Sequence, residues 1–177
     1  WYEVEDKQAL ISGLSALHGA PGRMDKVQLP NAPIAVVDYA HTPDALEVAL
    51  QALREHSNGR LICVFGCGGD RDRGKRPLMM AAAMQNADYV WLTSDNPRTE
   101  SIDQIFSDVL SQTNEGEAFS FEPDRRVAIQ QAILSAGPND VVLIAGKGHE
   151  SYQDIKGVKH HFDDKEEALK VVKSYVS

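Results

Sequence analysis

The feature that most constrains the fold is a repeated alternation. Short unbroken apolar runs are separated by stretches with helical spacing. The runs are Ile34-Ala35-Val36-Val37, Leu61-Ile62-Cys63-Val64-Phe65, Tyr89-Val90-Trp91-Leu92 and Val141-Val142-Leu143-Ile144-Ala145. Four or five residues are too few for a buried helix, and the lack of in/out alternation means that both strand faces are covered. After the first run, Thr42 is a good N-cap with Pro43 at the first helical position, and Leu46, Ala49, Leu50 and Leu53 share one face. Pro77 opens a helix over Met79–Gln85. Ile102, Ile105, Phe106, Val109 and Leu110 form an amphipathic stripe, and Asp124 caps a helix through Ala136 that Gly137-Pro138 stops. Such a chain is α/β, a doubly wound, mostly parallel sheet with helices on both faces. Ala118 to Phe121 reads as a weaker strand. Tyr152–Lys156 and Val158–Phe162 around Gly157 read as a hairpin, and Asp163 or Asp164 caps a last helix to about Tyr175. Ahead of the sheet, Ala9, Leu10, Leu14 and Leu17 mark a helix over Glu5–Leu17 that ends at Pro21-Gly22.

Charge and composition narrow the function classes. The 177 residues hold 18 Lys+Arg against 26 Asp+Glu, a net charge of −8, which argues against a nucleic-acid-binding module. No apolar run approaches the roughly eighteen residues of a membrane span. Two cysteines, Cys63 and Cys67, are too few for a disulfide framework and have no second pair to complete a metal site. They read as buried or loop thiols in a reducing compartment, with the cytoplasm as the default location. The chain begins at Trp1 with no initiator Met, so it is expected to be a piece of a longer protein.

Open parallel sheets bind ligands beyond the carboxyl ends of their strands. Each apolar run here empties into a charged or glycine-rich loop. Gly69-Asp70-Arg71-Asp72-Arg73-Gly74-Lys75-Arg76 satisfies G-x-x-x-x-G-K but places Arg76 where a P-loop needs Ser or Thr for magnesium. The dinucleotide fingerprint also fails, with Arg71 at the required glycine. What remains is a local excess of cations, Arg71, Arg73, Lys75 and Arg76, suited to an anionic group or to a solvated turn of mixed charge. In Asp95-Asn96-Pro97-Arg98, the proline stiffens a turn that offers a guanidinium fork and an amide. Arg98 can serve a ligand carboxylate or pair with Glu100 or Asp95. Glu150, closing Gly146-Lys147-Gly148-His149-Glu150, can meet an ammonium. Fork, amide and carboxylate together suit the zwitterionic head of an amino acid. His149 is a candidate ligand contact; His18, His56, His160 and His161 read as surface residues.

Five segments occur in order: Gly22-Arg23-Met24, Asp38-Tyr39-Ala40-His41-Thr42-Pro43-Asp44, Phe65-Gly66-Cys67-Gly68-Gly69-Asp70-Arg71-Asp72, Asp95-Asn96-Pro97-Arg98-Thr99-Glu100 and Ala145-Gly146-Lys147-Gly148-His149-Glu150. From Gly22 onward the chain resembles the C-terminal, amino-acid-binding domain of the Mur ligases, in the form that accepts meso-diaminopimelate. The resemblance implies a Rossmann-like domain at residues 22–177, with residues 1–21 as a connecting helix or the end of a central domain. It also implies ATP-dependent amide formation on a UDP-N-acetylmuramoyl dipeptide in peptidoglycan synthesis. ATP and Mg2+ would be held mainly by a central domain, because neither a true P-loop nor a magnesium-binding acid motif can be assigned here. By the same resemblance Arg71, Asp95, Asn96, Arg98, Gly146 and Glu150 would contact diaminopimelate. Arg23, Asp38, Tyr39 and His41 would lie on the ATP side, with no catalytic residue and no metal ligand in this chain. The partners implied are those small molecules and the other two domains, with neither nucleic acid nor membrane. A related ligase adding another amino acid, a folylpolyglutamate synthetase or a free-standing anion-binding module are the alternatives.

Overall fold

A computed structural model describes residues 22–28, 30, 32–113 and 118–175. The helix expected over Glu5–Leu17, and with it the proposed unit 1–21, lies outside the described residues. In chain order the elements are β1 (Asp25–Val27), β2 (Ile34–Asp38), α1 (Pro43–Glu55), β3 (Leu61–Cys67), α2 (Lys75–Asn86) and β4 (Tyr89–Ser94). Then follow α3 (Ile102–Val109), a 3-10 turn (Leu110–Gln112), β5 (Phe119–Glu122), α4 (Arg125–Ser135), β6 (Val141–Ala145), β7 (Tyr152–Ile155), β8 (Val158–His161) and α5 (Asp164–Lys173).

The main sheet has the order β1-β2-β6-β3-β4-β5, and only β1 runs antiparallel to its neighbour. The apolar runs supply its centre. Every residue of β3 and of β6 is buried. One face carries Val36, Cys63, Phe65, Leu92 and Leu143 against Leu46 and Leu50 of α1, Met79 and Met80 of α2, and Phe106 of α3. The other carries Ala35, Val37, Ile62, Val64, Val142 and Ile144 against Ile129 and Ile133 of α4 and Ala168 and Val172 of α5. The chain leaves β2, covers one face through β3, β4 and β5, then crosses to the other face and inserts β6 between β2 and β3. That reversal opens a crevice at the carboxyl ends of β6 and β3.

The expected doubly wound sheet is therefore the observed one, and the caps fall where the sequence puts them. Thr42 accepts from Ala45 N, Asp124 from Arg126 N and Val127 N, and Asp163 from Lys165 N and Glu166 N. One boundary and one element differ. Helix α2 begins at Lys75, two residues before Pro77, because a proline in the first turn removes an N–H that has no intrahelical partner anyway. Strand β1 is unforeseen: Asp25-Lys26-Val27 carries no apolar run, and its pairing with Val37, Val36 and Ala35 is an edge contact of the main chain.

One charged pair lies wholly inside. Arg125 donates from Nε to Asp164 Oδ1 and from Nη2 to Asp164 Oδ2, both at 2.7 Å, and from Nη2 to the Ala145 carbonyl at 2.9 Å. Its Nη1 reaches the Ser94 carbonyl at 3.4 Å. Both side chains have no solvent exposure. Breaking such a pair leaves a bare buried charge. Arg125→Met should cost about 3–5 kcal/mol of stability, and Arg125→Met with Asp164→Leu should recover most of it. Urea unfolding of the single and double variants checks this; an equal loss in both would assign the effect to packing instead.

Candidate functional site

Loops from the carboxyl ends of β2, β3, β4 and β6 meet around a cleft of about 360 Å³. Two of them are joined along their length. Gly69 N donates to the Asn96 carbonyl at 2.9 Å, and Arg98 Nη1 donates back to the Gly69 carbonyl at 2.6 Å. A Cβ on Gly69 would overlap the Pro97 carbonyl oxygen, so glycine is required for this approach. Asp70, at φ 55°, accepts Thr99 Oγ1 at 2.8 and 2.9 Å, and its own N–H donates to Glu100 Oε1 at 2.7 Å.

Beneath these loops Arg76 is buried against acidic partners. It donates to both oxygens of Glu100 at 2.8 and 3.0 Å, to Asp108 Oδ2 at 2.7 Å and to the Gly68 carbonyl at 3.1 Å. Arg73 forks onto both oxygens of Asp108 at 2.7 and 2.9 Å. This corrects the reading of four loop cations facing an anionic ligand. Arg73 and Arg76 neutralise Asp108 and Glu100, whereas the side chains of Arg71 and Lys75 have no hydrogen-bond or ion-pair partner among the described residues and line the cleft. The hydrogen bonds from Arg73 hold the Asp108 carboxyl well below the usual carboxylate range, and Arg76 does the same, less strongly, for Glu100. Because Glu100 is engaged by Arg76, it forms no ion pair with Arg98.

The Asp95–Arg98 turn is also held from its other side. Arg98 sits at φ 50°, its N–H donates to the Asp154 carbonyl at 3.0 Å, and its carbonyl accepts Lys156 N–H at 2.7 Å. Gln153 Nε2 donates to Ser94 Oγ and to the Asp95 carbonyl, both at 2.8 Å. Asn96 Oδ1 accepts Asp154 N–H at 3.0 Å and the fully buried Lys147 Nζ at 2.9 Å; Asn96 Nδ2 donates to Glu150 Oε2 at 3.0 Å. Lys147 also donates to the Tyr152 carbonyl at 2.8 Å. It lies 3.1 Å from Asp95 Oδ1, an ionic contact without hydrogen-bond alignment.

All six residues expected to contact an amino acid, Arg71, Asp95, Asn96, Arg98, Gly146 and Glu150, line this one cleft, together with Tyr39 and His41. Arg23 and Asp38 do not line it. Asp38 spends its oxygens on Met24 N–H and Ala40 N–H, each at 2.8 Å, and so fixes the segment beside Arg23. The ring of Tyr39 lies 4.6 Å from that of His41 and 5.6 Å from that of His149, which is exposed. Cys63 and Cys67 are free, and burial pushes both thiols up to about 12, so they are inert packing groups. Among the described residues no three His, Cys, Asp or Glu side chains gather as a metal site. Sequence reasoning missed Lys147, Gln153 and Asp154, and took Arg76 for a loop cation where it is buried against Glu100 and Asp108. For Lys147 the one available signal is a lysine between two glycines, directly after the most apolar strand.

The model of the family described as "Mur ligase, glutamate ligase domain" matches residues 22–148. The chain belongs to the Mur ligase family. Among relatives, UDP-N-acetylmuramoyl-L-alanyl-D-glutamate–2,6-diaminopimelate ligase of Haemophilus influenzae is 56% identical over 164 residues, covering 93% of this chain and 34% of that protein. The protein of the same name from Parasynechococcus marenigrum is 55% identical over 164 residues, covering 90% and 33%. A solved structure of a diaminopimelate ligase superposes with a TM-score of 0.85 at 49% identity, covering 97% of this chain and 35% of that one. A UDP-N-acetylmuramate-alanine ligase from Thermotoga maritima, 22% identical with a TM-score of 0.58, covers 95% and 35% and shares the fold. The chain spans about a third of the length of the curated relatives it matches.

The acid side of stability follows from the Asp108 cluster. A carboxylate held low in the folded state stabilises above its ordinary value of 3.8, and that contribution is lost as pH falls through the lowered one. Thermal melts from about pH 5 down to about pH 2 should therefore fall more steeply for the parent than for Asp108→Asn, which should be the less stable of the two at pH 7. Parallel curves would show that Asp108 contributes nothing to acid sensitivity.

Proposed function

We propose that this Mur ligase chain is the amino-acid-binding C-terminal portion of an ATP-dependent ligase that adds meso-diaminopimelate to UDP-N-acetylmuramoyl-L-Ala-D-Glu in peptidoglycan synthesis. Residues 22–177 form that domain, and residues 1–21 lead into it from a central one. The observation that carries the reading is the grouping of two cationic forks and one carboxylate in one cleft. Among the described residues Arg71 has no partner, Arg98 commits only Nη1, and Glu150 keeps Oε1 free. The identity to named diaminopimelate ligases supports the choice of amino acid.

Diaminopimelate carries an amino-acid head at each end. In the proposed mode Arg98 grips the distal carboxylate by its free N–H groups, and Arg71 adds a second cation. Glu150 meets the distal ammonium beside the Gly146 backbone, with Asn96 and Asp95 walling the pocket. The near amine is then free to attack an activated dipeptide carboxylate. The chain's contribution to rate is positioning and charge complementarity, which need no reacting group of its own.

ATP, when bound, supplies the phosphoryl group that activates the carboxylate. On this chain Arg23, whose guanidinium has no partner among the described residues, would meet its phosphates, and Tyr39 and His41 would offer a ring surface to its base. Asp38 would act by holding the Arg23 segment in place. Mg2+ would belong to the remaining two thirds of the ligase, as would the UDP-sugar site. Among the described residues no helix is long and apolar enough to cross a membrane, which suits a cytoplasmic enzyme.

In the full-length ligase, Arg98→Ala should cost about 2–5 kcal/mol in kcat/KM for meso-diaminopimelate, because a buried substrate carboxylate loses its partner. The same variant should narrow the preference for meso-diaminopimelate over lysine, which lacks that carboxylate. Steady-state kinetics with both amines checks this, and unchanged selectivity would overturn the assignment of Arg98.

A further inference from the structure

We propose that Lys147 is a positioning residue of the amino-acid site: its buried ammonium fixes the orientation of the Asn96 side-chain amide, and through it the Glu150 carboxylate. The inference rests on reading the cleft as a diaminopimelate site and assigns a role to a residue that does not line it.

An asparagine amide has two orientations of nearly equal shape, and its partners select one. Around Asn96 the selection is complete. Two donors, Lys147 Nζ at 2.9 Å and Asp154 N–H at 3.0 Å, face the same terminal atom, which must therefore be the oxygen. The NH2 group is thereby turned to Glu150 Oε2 at 3.0 Å. A reversed amide would set NH2 against an ammonium and an N–H, and its oxygen against a carboxylate. All three contacts would become repulsive.

Lys147 is suited to this task and to no direct contact with a ligand. It has no solvent exposure, and its Nζ is occupied by the Tyr152 carbonyl at 2.8 Å, Asn96 and the nearby Asp95 Oδ1 at 3.1 Å. Glu150 Oε2 is 3.9 Å from Nζ, too far for a direct hydrogen bond, so the carboxylate is held through the amide. A charge without solvent is retained at high cost unless its partners use it.

The test uses full-length ligase with Lys147→Met, which keeps the length and loses the charge and donors, and Lys147→Gln, which keeps donors without charge. Losing a hydrogen bond to a charged group should raise KM for meso-diaminopimelate about ten- to a hundredfold, with KM for ATP moving less than about twofold. Lys147→Gln should recover part of the loss. In an Asn96→Ala background, Lys147→Met should add less than about threefold, because the lysine acts through the amide. A role confined to stability would lower kcat for all substrates alike and leave both KM values in place, and that result would overturn the proposal. So would a full additional effect in the Asn96→Ala background. If Lys147→Met is recovered only unfolded, the same readings on Lys147→Gln decide. Parent enzyme that fails to use diaminopimelate at all would instead overturn the reading of the site.

Discussion

A guanidinium without water, Arg125, holds the carboxyl ends of two parallel strands at a fixed separation and ties both to the last helix. Its four N–H contacts go to Ala145, Ser94 and the two oxygens of Asp164. Every loop that forms the cleft departs from those strand ends or leans on a loop that does. The Asp95–Arg98 turn follows Ser94 directly, and the Gly146–Glu150 loop follows Ala145. Packing of Val142 and Ile144 against α4 sets the height of β6 in the sheet, but apolar contacts are non-directional. The charged pair adds direction, and the cleft inherits it.

The second level of order is the joining of three segments into one body. The glycine-rich loop and the Asp95–Glu100 loop share main-chain and side-chain bonds through Gly69, Asp70 and Arg98. The β7–β8 hairpin closes on the opposite side through Gln153, Asp154 and Lys156. With those bonds made in advance, the ordering cost of binding falls on the ligand and a few exposed side chains.

What was legible in the sequence followed from apolar pattern and local chemistry. Continuous runs gave the parallel strands, and Thr42, Asp124 and Asp163 gave helix starts, since a cap is a bond within three residues. The cleft loops were legible because open sheets place ligand loops at strand ends, whereas the full set of contact residues came through the family resemblance. Buried charge was not. Arg125 and Arg126 are neighbours of the same type, yet one is sealed in the core and the other is largely exposed. Their difference is decided by Asp164, 39 residues on. Arg76 and Lys147 were hidden for the same reason. Strand β1 escaped notice because an edge pairing asks little of its side chains.

The conformation at position 98 carries a consequence for how such a pocket can diversify. Both peptide groups of Arg98 are bound to the hairpin, so the turn owes its main-chain shape to those bonds, while the guanidinium adds the Nη1 link to Gly69. A left-handed φ of 50° admits unbranched or small residues there and penalises Val, Ile and Thr. If position 98 selects the amine as proposed, a lineage exchanging that one side chain keeps the hairpin bonds of the turn and gives up only the link to Gly69. The range of exchanges open to it is filtered by backbone sterics before any ligand is consulted.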